Sequence, residues 1–475
     1  MSDSQILSII AIVLVALAAS VVDSAVKWSG FGFFRWGPAK REIRRQNRQD
    51  QSVEPPPDDV EGGDHPAGFI RLGRKYPGSR AFDLPLSALA QHVFLPGASG
   101  TGKTTTLARI AQGALRDGWG IVIVDAKGGT LKRTAGDLAT QGGVALQIVD
   151  PADPGSLGYN PATGVGNEVA NKLVGAFTFS PTAEIYQNIA MTILPPVVDA
   201  LRLAGPIDGI REPGEDVTVS VINKALGMLG VLARANIPEN MQEQLTALLT
   251  ARTGIGDEGI SGLQWRLGAL LQGHFASLLN ARTFLDWDST LRHPGVTYFS
   301  LPSLGAAKDV ELFGRVIAMD LQAAANRRLE DLRNGVAITP ILVVLDEFTR
   351  LGEAAQITGL QLLAREARMS VLVSTQVAPQ DPMLRAACMS SGLLIVHRPD
   401  PEMDTEALAG VLGTRRTVDT TYQKEFTTGF SEKGSIRQVR EYWIHPDQLR
   451  NFAPGVTAVK VAGAQEPDIV RVSRP

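Results

Sequence analysis

Several residue types are scarce in this chain of 475 residues, and each scarcity excludes a class of protein. Cys388 is the single cysteine, so the chain has no intramolecular disulfide framework and no zinc site built from cysteine alone. We expect its thiol to be an inert part of the core, within a helix over Met383–Ser390. The six histidines are scattered, and no two of them have the HxxxH spacing of metal ligands. Cysteine and histidine therefore provide no metal site.

An excess of charge of either sign is also missing. The 46 basic and 49 acidic residues leave a formal net charge of −3. This balance excludes a uniformly basic surface, so any contact with nucleic acid must come from a local patch. The hydrophobic content of 44% is ample for a large core, and the chain is longer than one compact core usually requires. We therefore expect two or more domains.

The N-terminal stretch Ile6–Val22 contains no charged residue. As a helix it would span about 25 Å at ~1.5 Å per residue, which approaches the thickness of a bilayer core. The nearby basic residues all follow this stretch, and by the positive-inside rule they place the bulk of the chain in the cytoplasm. We predict a single-pass transmembrane anchor over residues 1–27. A cleaved signal peptide and a buried or partner-binding helix are the alternatives.

Residues 28–67 differ in composition from both of their neighbours. The first part combines basic residues with Trp28, Phe31, Phe33, Phe34 and Trp36, as expected beside a membrane surface. The later part is polar and contains three consecutive prolines and a Gly-Gly pair. This composition is typical of a linker that tethers rather than packs.

Short apolar runs alternate with helical patterns from about residue 68 onward. Apolar strands joined by helices indicate an α/β fold, in which a mostly parallel sheet is covered on both faces. The predicted strands are His92–Leu95, Gly120–Val124, Val144–Val149, Val296–Leu301, Ile341–Leu345, Val371–Ser374, Leu393–Val396 and Val456–Val461. Residues 165–292 contain no convincing strand, and we predict an all-α insertion domain there. It would separate two parts of the sheet domain, 68–164 and 293–475.

The loop GASGTGKT follows the first of these strands and precedes a helix over Thr105–Arg116. Glycines at this spacing let backbone N–H groups turn inward around phosphate oxygens, and the helix N-terminus adds a favourable dipole. Lys103 would reach the β- and γ-phosphates, and Thr104 would ligate Mg²⁺. ATP and Mg²⁺ are the predicted ligands. The predicted nucleotide-binding residues are Gly97, Ala98, Ser99, Gly100, Thr101, Gly102, Lys103, Thr104 and Thr105.

The apolar strand Ile341–Leu345 is followed directly by two acids. Asp346 is predicted to hold the Mg²⁺ shell, and Glu347 to polarise the attacking water. A small-molecule kinase needs no hydrolytic glutamate at this point, whereas a motor ATPase does. The pair therefore favours hydrolysis of ATP.

Three further polar residues are candidates for catalysis. Gln376 follows a strand that we expect beside the phosphate loop, where it would sense the γ-phosphate or satisfy loop backbone. Arg365 and Arg368 are expected on a helix three residues apart. Either would serve a neighbouring subunit as an arginine finger, or would lie on a solvated, salt-bridged face.

Together these features resemble the FtsK/HerA class of DNA-pumping ATPases, and most closely the coupling ATPases of conjugative type IV secretion systems. The resemblance covers most of residues 68–475 and implies a RecA-like P-loop NTPase fold. The segments that carry it are GASGTGKTTT, VDAKG (124–128), Tyr159-Asn160-Pro161, LDEF (345–348), STQ (374–376) and the closing segment Val439–Lys460.

The resemblance implies a homo-hexameric, inner-membrane ATPase whose pore passes DNA. Its helical domain, 165–292 here, would recognise a relaxase or another secretion substrate, and the assembly would deliver it to a type IV secretion channel. The single apparent membrane segment departs from the usual two, which places the usual docking to that channel in doubt. An FtsK-like pump for double-stranded DNA and a receptor ATPase for protein effectors are the alternatives.

Two basic segments are candidate contacts for DNA, namely Gly128–Arg133 and Arg415–Arg440. Neither contains a motif that reads base edges, so we expect contacts to phosphates and little base specificity. Solvated loops are the alternative interpretation of both.

Overall fold

The computed structural model describes residues 66–474, apart from 181–183, 251–254, 303–305, 352–353 and 425–431. The predicted transmembrane anchor and nearly all of the segment 28–67 lie outside the described residues. Within the described part of the chain, no helix is both long and apolar enough to cross a membrane.

An 11-stranded sheet forms the centre of the fold, with the strand order β2-β1-β13-β12-β9-β3-β8-β7-β4-β6-β5. Two further strands, β10 and β11, form a separate hairpin. In chain order the strands are β1 Phe69–Lys75, β2 Ala81–Pro85, β3 Val93–Pro96, β4 Gly120–Asp125, β5 Leu146–Val149, β6 Val296–Ser300, β7 Ile341–Asp346, β8 Met369–Thr375, β9 Leu393–Val396, β10 Thr414–Lys424, β11 Glu432–Tyr442, β12 Val456–Val461 and β13 Asp468–Val472.

Strands β9-β3-β8-β7-β4-β6-β5 are parallel throughout. Most of them are buried along their whole length, because helices cover both faces, and this is why their sequences are continuously apolar. The predicted mostly parallel sheet is therefore confirmed, with strand bounds within two residues of those expected. Strand β8 lies between β3 and β7, so the loop after β3 and the acids after β7 flank its end.

The remaining strands were not all predicted. β12 lies antiparallel to β9, and β13, β1 and β2 continue the sheet beyond it in antiparallel register. β1, β2 and β13 were not predicted because their buried positions are mixed with partly or fully exposed ones, and because they include charged residues. The hairpin β10–β11 is largely polar, so its sequence resembles a loop.

Fifteen helices are seen in the described residues. They are α1 Lys103–Arg116, α2 Lys132–Gly142, α3 Gly166–Ala176, α4 Glu184–Leu203, α5 Val219–Gly227, α6 Leu229–Leu232, α7 Glu239–Thr250, α8 Ile255–Gln272, α9 Ala276–Leu279, α10 Trp287–Arg292, α11 Ala307–Arg333, α12 Ala354–Ala364, α13 Pro382–Met389, α14 Thr405–Leu412 and α15 Pro446–Arg450. Eight of them, α3 to α10, lie between β5 and β6, where helices were expected. That this region is a domain of its own remains a prediction.

A buried polar network ties these helices to the sheet domain. The Asp320 carboxylate, fully buried on α11, accepts hydrogen bonds from Tyr159 Oη (2.7 Å), Trp287 Nε1 (2.9 Å) and Lys172 Nζ (3.0 Å). Each buried polar group is thereby paired, which offsets the cost of removing it from water. Tyr159 of the YNP segment therefore has a structural role here.

Cys388 lies within α13 and is fully buried, as expected. Burial raises the pKa of its thiol to about 12, so the reactive thiolate is suppressed. The Asp381 side chain caps this helix through the N–H of Leu384, and Pro382 opens its first turn.

Candidate functional site

The phosphate loop stands at the carboxyl end of β3, the edge of a parallel sheet where ligands bind. β3 ends at Pro96, and α1 begins at Lys103. Among the described residues no side chain caps this helix, and Gly102 at its N-cap has a φ of 107°, which favours glycine. The N–H groups of the first turn are therefore left for an anionic ligand.

Lys103 is folded back into its own loop. Its Nζ donates hydrogen bonds to the carbonyl oxygens of Gly97 (2.5 Å) and Ala98 (3.1 Å), and only 7% of the residue is exposed. Burial lowers the pKa of Lys103, while the charges of Glu347 and Asp346 act in the opposite direction. The ammonium group is thus held close to both acids and beside the loop.

The two acids stand at the end of β7, two strands from β3. Asp346 is the last residue of the strand, and burial raises the pKa of its carboxyl group. Glu347 follows in a left-handed backbone conformation, with a φ of 52°, and is 97% buried. Such a conformation is uncommon outside glycine, and it turns the chain sharply out of the strand.

Lys127 approaches Glu347 from the neighbouring strand. Its Nζ lies 2.9 Å from Oε1 of Glu347. Since β4 pairs with β7 and Asp125 is level with Asp346, residues just beyond the two strands meet. Lys127 thus makes a specific contact at the rim of the site, one that spacing in the sequence did not reveal.

Asp125 organises the turn that carries Lys127. Its fully buried carboxylate accepts hydrogen bonds from the N–H groups of Lys127, Gly128 and Leu131, and from the hydroxyls of Thr130 and Tyr298. Five donors on one carboxylate make this turn rigid. The segment DAKGG therefore forms an ordered turn at the rim of the site.

Gln376 lies where it was expected, immediately after β8. Thr375 pairs with Pro96 of β3, and its carbonyl oxygen accepts a hydrogen bond from the N–H of Gly97 (3.1 Å). The half-buried Gln376 therefore begins beside the phosphate loop. Its role as a γ-phosphate sensor remains a prediction.

Arg365 and Arg368 are not brought to this site. They do not lie on a helix, because α12 ends at Ala364 and residues 365–368 form a turn, with Arg368 at a φ of 52°. This turn precedes β8, and the Arg368 carbonyl oxygen accepts the N–H of Ile341 at the start of β7. Both exposed arginines therefore lie at the opposite edge of the sheet from the loop. A role as arginine finger would have to be exercised on another subunit.

Arg315, a further arginine on α11, is buried. Its Nε donates to the carbonyl oxygen of Ala176 (2.7 Å), and its guanidinium group pairs with Glu311. These contacts give it a structural role within α11.

His397, which motif reasoning missed, underlies the phosphate loop. It follows β9, and its ring lies 3.0 Å from the Thr101 carbonyl oxygen through Nδ1 and 2.8 Å from the Thr106 hydroxyl through Nε2. A Cβ atom at Gly97 would lie 2.6 Å from the Cβ of His397, so only glycine fits there. Because polar residues that follow parallel strands lie at the ligand edge, the position of His397 after an apolar run was a usable signal.

The loop is also held by two backbone contacts from distant parts of the chain. The N–H of Ala98 donates to the Arg398 carbonyl oxygen (2.8 Å), and the N–H of Gly455 donates to the Thr101 carbonyl oxygen (2.9 Å). The loop is therefore fixed in shape by β9 and by the segment before β12.

We expect acid to destabilise the protein through His397. Burial, aided by Lys103, lowers the pKa of His397 to about 3, so the folded state keeps the ring neutral while the unfolded chain takes up a proton below about 6.5. Stability is therefore lost as the pH falls below ~6.5, by about 2 kcal/mol at pH 5. Urea midpoints at pH 7.5 and pH 5 measure this loss. The His397→Gln variant, which does not titrate, should show a smaller decrease between the two values, and an equal decrease would contradict the assignment.

The residues present fit a nucleoside triphosphate with Mg²⁺. The uncapped helix N-terminus, the close-packed glycine loop and the ammonium group of Lys103 suit phosphate oxygens. The exposed hydroxyl-bearing Thr104 and the Asp346 carboxyl group at the end of β7, two strands away, supply the oxygen ligands that Mg²⁺ prefers.

Comparison with known proteins bears on the fold. No family model and no curated protein sequence matches the chain. Among solved structures, the unbound monoclinic form of the bacterial conjugative coupling protein TrwBΔN70 is similar with a TM-score of 0.59 at 16% identity, covering 86% of this chain and 96% of that one. TrwB in complex with the ATP analogue ADPNP gives a TM-score of 0.57 at 15% identity, covering 90% and 97%. TrwB with ADP and Mg²⁺ gives 0.54 at 16% identity, covering 88% and 97%. The chain therefore has the α/β fold of a TrwB-like P-loop NTPase.

Proposed function

We propose that the chain is a membrane-anchored ATPase that drives DNA into a conjugation or type IV secretion channel. The observation that carries the proposal is one site that unites an uncapped phosphate loop with the acid pair Asp346–Glu347. The similar structures are of a conjugative coupling protein, two of them with bound nucleotide, which supports this choice among P-loop ATPases.

In this proposal the residues of the site have separate tasks. Loop N–H groups and Lys103 bind the phosphates of ATP, and Thr104 with Asp346 would hold Mg²⁺, which supplies charge neutralisation when bound. Lys103 exchanges its carbonyl partners in the loop for phosphate oxygens. Glu347 orients the attacking water and accepts its proton, and Gln376 reports on the γ-phosphate from the end of β8.

Release of Glu347 from Lys127 accompanies this chemistry. In the structure Oε1 of this carboxylate lies 2.9 Å from Nζ of Lys127, so this oxygen is engaged by the ammonium group rather than by the attacking water. A change in the side-chain conformation of Lys127, on the otherwise rigid turn 126–131, would free it. The ion pair therefore lets hydrolysis depend on contacts made elsewhere, as a motor requires.

Assembly and location complete the proposal. Residues 1–27 anchor the chain in the inner membrane, with the ATPase in the cytoplasm, and six copies form a ring through which DNA passes. Arg365 or Arg368 acts on the site of a neighbouring copy. The helical region 165–292 recognises the relaxase or another secretion substrate, and Trp265 on α8, which is 74% exposed, belongs to that surface.

Translocation assays test the proposal and separate it from its alternatives. The full chain, reconstituted in lipid nanodiscs, is supplied with ATP and either a biotinylated single strand carrying streptavidin or a duplex carrying a third strand. ATP-dependent displacement of streptavidin supports the coupling function, and displacement of the third strand alone supports an FtsK-like pump. Displacement of neither would overturn DNA translocation and favour a receptor for protein effectors.

A further inference from the structure

The β10–β11 hairpin, which we call the basic hairpin, stands apart from the main sheet. Residues 414–442 contain six basic and four acidic residues, a net charge of +2 in a chain whose net charge is −3. A two-stranded sheet is only marginally stable by itself, so the hairpin must be stabilised by the rest of the fold or by a binding partner.

One face of the basic hairpin carries an unfavourable pair. Arg416 lies directly opposite Arg440 in the antiparallel register, and both residues are exposed. Like charges placed directly opposite each other destabilise a hairpin. Neither guanidinium group forms an ion pair with any residue in the described part of the chain. Two adjacent unpaired arginines are suited to phosphate oxygens, which they bind through paired N–H donors.

The other face is arranged differently. Arg415 pairs with Glu441 through Nη2 at 2.9 Å, and its guanidinium group lies 5.5 Å from the ring centre of Trp443. This side chain is neutralised and packed where the hairpin leaves the fold. The exposed Arg437 also lies on this face, opposite Asp419 in the register, whereas Arg416 and Arg440 are two basic residues that face each other directly.

Both ends of the segment that contains the hairpin are attached to the phosphate loop. The segment begins at Arg398, whose carbonyl oxygen accepts the N–H of Ala98, and ends at Gly455, whose N–H donates to Thr101. Few residues separate these contacts from α14 on one side and α15 on the other. The hairpin is thus joined to the nucleotide site at each of its ends.

The two connecting helices are firmly packed. Leu408 and Leu412 of α14 and Leu449 of α15 are fully buried in the core that covers one face of the sheet. A displacement of the hairpin base is therefore passed to the loop, because close-packed side chains transmit strain.

We propose that Arg416 and Arg440 form a binding site for the phosphate backbone of DNA, and that DNA bound there stimulates ATP hydrolysis through the contacts of Arg398 and Gly455 with the phosphate loop. This inference rests on the proposed function and deepens it, because it identifies where the moving substrate is held. The site reads charge rather than base sequence.

The test compares two double variants of the full chain in nanodiscs. Arg416→Ala/Arg440→Ala removes the proposed site. Arg80→Ala/Arg333→Ala removes the same charge from two exposed arginines outside the hairpin and serves as the matched control. Binding of a fluorescent 30-nucleotide single strand and of the corresponding duplex is measured between 50 and 200 mM salt, together with ATP hydrolysis with and without DNA.

We expect the hairpin variant to bind DNA about 10-fold more weakly at low salt, with a salt slope reduced by about two. Its hydrolysis without DNA should equal that of the wild type, and most of the stimulation should be lost, while the control behaves as the wild type. Wild-type binding and stimulation in the hairpin variant would overturn this inference and leave the proposed function intact. Failure of the wild type itself to respond to DNA would instead contradict the proposed function.

Discussion

Replacing Lys103 with alanine is expected to reduce ATP hydrolysis by about 100-fold or more. Lys103 is the buried cation of the phosphate loop, held by the carbonyl oxygens of Gly97 and Ala98. In the proposed reaction it would stabilise charge that develops on the phosphates, and the loss of one such preorganised donor costs about 10²–10³ in rate. Steady-state phosphate release by the full chain in nanodiscs, at saturating ATP and Mg²⁺, measures the effect.

The matched control for this variant is Lys224→Ala. Lys224 is exposed on α5, far along the chain from the loop, and its removal changes the net charge by the same amount. The control should hydrolyse ATP at the wild-type rate. Thermal midpoints of both variants show whether the protein remains folded, and a folded Lys103→Ala protein with wild-type activity would remove the loop from the mechanism.

The Glu347→Gln variant is expected to lose hydrolysis by about 10²–10⁴-fold, the usual contribution of a general base, while it still binds ATP. Glutamine keeps the size of the side chain but cannot accept the proton of the attacking water. The substitution also removes the ion pair between Glu347 and Lys127. A lower rate in the variant therefore cannot be caused by tighter binding of residue 347 to Lys127. Phosphate release and the affinity for a fluorescent ATP analogue, measured on the same preparation, separate chemistry from binding.

Glu366→Gln provides the corresponding control, since Glu366 is an exposed glutamate in the turn before β8. It should retain both binding and hydrolysis. Wild-type phosphate release by Glu347→Gln would show that another group activates the water, and loss of nucleotide affinity would show that Glu347 acts in binding.

Much of the sheet could be predicted from the sequence because its central strands are buried on both faces. Ile341–Asp346 and Gly120–Asp125 are apolar up to their last residue, and this pattern reports burial directly. The phosphate loop was equally readable, since the spacing of its glycines and Lys103 follows from the chemistry of phosphate binding.

Contacts between distant segments could not be predicted from the sequence in this way. The approach of Lys127 to Glu347 depends on β4 and β7 being neighbours, which is a property of strand order and not of either motif. His397 lies beneath the loop because β9 pairs with β3 across almost 300 residues of chain. Arg368 was misplaced for the opposite reason, because a local helical pattern suggested a helix that the structure does not have there. α12 ends at Ala364, and the following turn, with Arg368 in a left-handed conformation, lies at the opposite edge of the sheet from the phosphate loop.

Stimulation of ATP hydrolysis by DNA is the most direct test of the proposal that the chain is a DNA-translocating ATPase. Phosphate release by the full chain in nanodiscs is measured without DNA, with single-stranded DNA and with duplex DNA, and Glu347→Gln serves as the blank. A DNA-translocating ATPase should show a several-fold increase with at least one form of DNA, and the blank should show none. A rate that is the same with and without either form of DNA would contradict the proposal.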